Sequence, residues 1–68
     1  MSSLPAARQL DILIQKAREL GVEVRFEVLE GNGADICRVK DKTYLFLNLM
    51  SDAAEQLESL GNVLGNQT

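Results

Sequence analysis

Polar and apolar residues follow two different rhythms along the chain. Leu10, Leu13, Ile14, Ala17 and Leu20 recur at helical spacing, with Arg8, Gln9, Asp11, Gln15, Lys16 and Arg18 on the remaining surface. This pattern predicts a helix from about Leu4 to Leu20. Ser3 is placed to cap it, and Pro5 sits in the first turn, where a missing N–H costs nothing. Gly21 is a left-handed stop, behind which Val22 can fold back on the last turn. The rhythm then shortens to two: Val22-Glu23-Val24-Arg25-Phe26-Glu27-Val28 reads as a strand with one buried face. Gly31-Asn32-Gly33 breaks the run, and Asn-Gly between strand-like segments is a strong hairpin signal because both central residues need positive φ. Ala34 to Lys40 is a second, weaker strand, Lys40-Asp41-Lys42-Thr43 a tight turn, and Thr43 to Leu49 a third strand, apolar on both faces. A last helix starts near Ser51 or Asp52, where Asp52 and Glu55 have capping-box spacing. Ala53, Leu57, Leu60 and Leu64 form its stripe, and Gly61, which costs about 1 kcal/mol inside a helix, marks a point where it frays or stops. Gly65 to Thr68 reads as a tail, and the chain shows no repeat, linker or low-complexity segment.

Together these elements predict one small α+β domain over residues 1–68, in the order α-β-β-β-α, with a three-stranded antiparallel meander packed against the helices. A two-residue turn at Asn32-Gly33 sets Val28 opposite Cys37, Phe26 opposite Val39 and Glu27 opposite Arg38, at the cost of facing Glu30 with Asp35. Closing the second turn over Lys40 to Thr43 sets Val39 opposite Tyr44 and Cys37 opposite Phe46. Both registers place Val24, Phe26, Val28, Cys37, Val39, Tyr44 and Phe46 on one inner face. The outer face holds Glu23, Arg25, Glu27, Arg38 and Lys40, but also Leu29, Ile36, Leu45, Leu47 and Leu49 clustered at one end. If both helices cover the inner face, this leucine-rich cluster is exposed and is expected to bind a protein partner or a second copy in a homodimer. If one helix lies on each face, the cluster is core.

Composition narrows the function. A 68-residue chain buries roughly 60% of its unfolded surface, while ordering costs about 1.5 kcal/mol per residue, so self-association is expected to help it fold. With 46% hydrophobic residues the chain can build a core. Seven basic against ten acidic residues, a net charge of −3, argues against a nucleic-acid footprint. The short basic stripe of Arg38, Lys40 and Lys42 lacks interleaved exposed aromatics and reads as a solvated face. No apolar run approaches the roughly 20 residues of a membrane span. Met1-Ser2-Ser3-Leu4-Pro5 has no charged region followed by an apolar run, and the single cysteine fits a reducing compartment, so a cytoplasmic location is expected.

The chemistry is limited by what is missing. There is no histidine, which removes imidazole acid–base work, a Ser-His-Asp triad, a Cys-His pair and His-ligated zinc. Lone Cys37 allows neither an internal disulfide nor a Cys-x-x-Cys site, and is expected to point into the core. Gly31-Asn32-Gly33 lacks the lysine and the strand–loop–helix setting of a phosphate loop. No pair of carboxylates is spaced for acid–base catalysis. The expectation is a non-enzymatic binding or regulatory module with no catalytic residue, metal or cofactor.

One segment resembles a known family. The strand Tyr44-Leu45-Phe46-Leu47-Asn48 followed by Asp52-Ala53-Ala54-Glu55-Gln56 is similar to the start of the ImmA/IrrE-type zinc metallopeptidases, over Lys42 to Asn66. That family's helix continues Leu-Ala-His-Glu-Leu-Gly-His, whereas this chain has Leu60-Gly61-Asn62-Val63-Leu64-Gly65-Asn66. Asn62 and Asn66 stand in place of the two zinc-binding imidazoles, and Val63 in place of the general-base carboxylate. The resemblance therefore implies a degenerate, non-catalytic relative.

Overall fold

The computed structural model describes residues 4–65. Five elements run in the predicted order: α1 (Ala6–Glu19), β1 (Glu23–Glu27), β2 (Ala34–Val39), β3 (Lys42–Asn48) and α2 (Ala53–Gly65). Pro5 is the N-cap of α1, and its carbonyl accepts from the N–H groups of Arg8 and Gln9; Ser3, the expected cap, lies outside the described residues. The C-terminus of α1 is a Schellman motif. Gly21, at φ 87°, donates to the Arg18 carbonyl, and Val22 donates to the Ala17 carbonyl. At the start of α2 the Asp52 carboxylate accepts from the Glu55 N–H at 2.9 Å. The helix continues through Gly61 to Gly65 instead of stopping.

The sheet is mixed, with strand order β1-β3-β2, rather than an antiparallel meander. β1 runs parallel to β3, pairing Val24 with Leu45 and Phe26 with Leu47. β2 runs antiparallel to β3, pairing Ile36 with Leu45 and Cys37 with Tyr44 around a two-residue turn at Lys40-Asp41. Lys40 adopts a φ of 56° in that turn. The expected hairpin between β1 and β2 does not form, nor does the Glu27–Arg38 pair. Residues 28–33 instead carry the chain across the end of β3. β3, the central strand, carries the most apolar run of the three.

The alternation within β2 and β3 is as read from the sequence: Ile36, Leu45 and Leu47 share one face, and Cys37, Tyr44 and Phe46 the other. What differs is the face the helices cover. Parallel pairing brings Val24 onto the Leu45 side, and both helices pack there. Leu10, Ile14, Ala34, Leu45, Leu47 and Leu60 form the core, with Val22, Val24, Ala17, Ala53 and Leu57 packed around it. Leu47 is completely buried and Leu45 is 4% exposed. The predicted exposure of the cluster of Leu29, Ile36, Leu45, Leu47 and Leu49 is therefore corrected. Leu45 and Leu47 are core, Leu29 and Ile36 are half-buried, and only Leu49 is exposed. Cys37, expected inside, is exposed on the open face.

Asn48 joins the crossing loop to the rest of the fold. It is 5% exposed, and its side chain makes four hydrogen bonds. Its Nδ2 donates to the carbonyls of Leu29 and Asn32, both at 2.9 Å, while Oδ1 accepts from the N–H groups of Leu29 at 3.1 Å and Met50 at 3.0 Å. Its backbone N–H donates to the Gly33 carbonyl at 2.9 Å, and its own carbonyl accepts from Gln56 Nε2 at 2.6 Å. Gly33 packs directly on α2. A Cβ there would lie 2.7 Å from the Glu55 carbonyl oxygen and 2.8 Å from Ser59 Oγ, the same hydroxyl that accepts from the Gly33 N–H. Among the described residues no buried side-chain polar atom lacks a partner.

Candidate binding groove

At the end of the molecule opposite Asn48 the helix layer is incomplete. The last turns of α1 and of α2 lie over this part of the sheet. Between them lies an apolar cavity of about 270 Å³, open to solvent. Leu13, Ala17 and Leu20 of α1 and its connection form one wall, and Leu60 and Leu64 of α2 the other. Val22, Ile36 and Leu45 form the floor. Lys16 is the one polar residue in the lining. Leu20 is 83% exposed, with Leu64 and Leu13 also open to water.

Two of the residues expected at a partner surface, Ile36 and Leu45, thus come together in this groove. Leu47 lies beneath it in the core, while Leu29 and Leu49 sit at the Asn48 end. Leu13, Leu20 and Leu64 were legible only as helix stripe positions. Nothing in their spacing separates them from core positions; the seating of the two helices on the sheet leaves them open.

The opposite face of the sheet carries a compact ion cluster. Glu23 accepts from Arg25 Nε at 2.6 Å and pairs with Lys42 Nζ at 3.0 Å. Hydrogen bonds from Lys42 first, then Arg25, hold the Glu23 carboxyl below the usual carboxylate range. Glu23 in turn raises the Lys42 ammonium and the Arg25 guanidinium above their ordinary values. Both cations lie over the Tyr44 ring, at 5.6 Å for Arg25 and 5.8 Å for Lys42, and Tyr44 stacks with Phe46 at 6.3 Å between centroids. The Lys42 end of the proposed basic stripe is thus neutralised by an acid.

Of the positions singled out by the metallopeptidase resemblance, Asn62 lines a small polar recess of about 180 Å³ with Asn32 and Ser59. Val63 borders the same recess, and Asn66 lies outside the described residues. Among the described residues no three His, Cys, Asp or Glu side chains are grouped to hold a metal ion, and no helix is long and apolar enough to cross a membrane. No protein-family model matches the chain, and no curated protein or solved structure is significantly similar to it.

Proposed function

We propose that this protein is a non-catalytic binding module that works through protein–protein contact, and that the groove at the C-terminal ends of α1 and α2 is its binding surface. The observation that carries this reading is the lining: eight apolar side chains and one lysine, opening onto a leucine that is 83% exposed. A protruding aliphatic side chain entering such a groove gains about 1.5–3 kcal/mol from burial alone. Contiguous apolar surface of this kind on a small domain marks an interaction site. Lys16 at the lining gives the groove a preference for an occupant with a negative group beside its apolar anchor.

The test is fluorescence of 1-anilino-8-naphthalenesulfonate, a probe that is apolar with an anionic group, at low micromolar protein. The expected result is enhancement for the parent chain that is lost in Leu64→Asp, with an unchanged circular-dichroism melt. No enhancement, or enhancement that survives Leu64→Asp, overturns the reading.

A further inference from the structure

We infer a second docking surface, at the Asn48 end of the sheet, whose occupant is a basic protein segment carrying an apolar anchor. Val28 is 67% exposed, Leu49 58% and Met50 77%. Two stretches of chain hold these residues side by side. The Leu49 N–H donates to the Glu27 carbonyl at 2.9 Å, and Asn48 Oδ1 takes the N–H groups of both Leu29 and Met50. The apolar patch thus sits on the Asn48 network, and a seat already ordered lowers the entropy cost of docking. The charge around it selects the occupant. Glu27, Glu30, Asp52 and Glu55, all exposed, belong to the same two stretches and the turn into α2. Residues 26–37 and 43–65 contain no Lys or Arg. Arg25, the next residue along β1, is paired with Glu23 at 2.6 Å, and α1 brings Arg8 in its first turn toward this end. Apolar surface rimmed by carboxylates attracts Lys or Arg beside an apolar anchor and repels acidic segments. The groove, with Lys16 in its lining, has the opposite preference, so the two surfaces select different segments.

The experiment is fluorescence anisotropy of a labelled amphipathic helical peptide of leucine and lysine, titrated with the full chain. Its twin, with glutamate for every lysine, is the control. The expected result is micromolar binding of the lysine peptide that weakens as salt rises, and none of the twin. Met50→Ser weakens binding at least about 10-fold, through loss of apolar burial. Glu27→Lys and Glu30→Lys each weaken it and flatten the salt dependence. Leu64→Asp, in the groove, leaves it unchanged. Circular dichroism of Met50→Ser matches the parent, since Asn48 holds only the backbone of that residue. No binding of the lysine peptide overturns the inference, as does a twin that binds equally well. Binding indifferent to Met50→Ser or to both glutamate reversals, or binding lost in Leu64→Asp, overturns it too. Each of these outcomes leaves the anilinonaphthalene test of the groove to stand or fall separately.

Discussion

The two ends of this small fold solve opposite problems. At the end where β3 finishes, a loop must cross the sheet, and Leu29, Asn32 and Gly33 of the crossing are tied to Asn48 and Ser59, with Gln56 holding Asn48 in turn. At the end where both helices finish, a Schellman motif and a two-residue turn tie the backbone locally, but the apolar layer does not close. One end spends its specificity on hydrogen bonds within the chain; the other leaves aliphatic surface with no intramolecular cover. On the binding role proposed for the groove, the tied end holds the fold and the open end meets the partner.

The strongest way to break this division is Asn48→Ala. It strands two carbonyls and two N–H groups at a site with little water access, and is expected to cost about 4 kcal/mol in urea unfolding, a large share of the stability of a domain this size. Gly33→Ala, also at the tied end, places a methyl 2.7 Å from the backbone of α2 and is expected to cost about 2 kcal/mol by the same measurement. At the open end, Lys40→Gly relieves a left-handed backbone and should stabilise by about 1 kcal/mol, seen as a higher urea midpoint with the same slope. Leu20→Ser is expected to change monomer stability by less than about 0.5 kcal/mol, measured at concentrations too low for association. A Leu20→Ser loss as large as that of Asn48→Ala would show the open end to be structural after all.

The smallest effect concerns acid. The Glu23 carboxyl is held below its ordinary range by Lys42 and Arg25, so its contribution is fully present above the usual carboxylate pKa and fades as pH falls through the lowered value. In Glu23→Gln that part of the acid sensitivity should vanish, read as parallel rather than diverging melting curves between pH 5 and strongly acid solution.

Much of this architecture could be read from side-chain periodicity. Both helices, the three strands, the Gly21 stop and the Asp52 cap follow from local patterns, because each is settled by residues within a few positions. Strand order is not local. Asn32-Gly33 carried a hairpin signal, yet Gly33 is glycine for a different reason: α2 passes too close for any Cβ. The unfavourable facing of Glu30 and Asp35 and the unbroken apolar run of Tyr44 to Leu47 were the two clues that β3, not β2, belongs in the centre. Once that order is wrong, the choice of covered face is wrong with it, and Leu45 and Leu47 change from surface to core. The groove was beyond reach for a further reason. It arises from how the two helices sit on the sheet, and no single residue type announces it.

The seat of β3 has a consequence for biosynthesis. As the polypeptide leaves the ribosome, β1 and β2 appear first with an empty slot between them, and the strand that fills it comes afterwards. A nascent fragment that stops before Lys42 therefore holds β1 and β2 with no strand to pair with either, so the sheet cannot form until β3 has emerged.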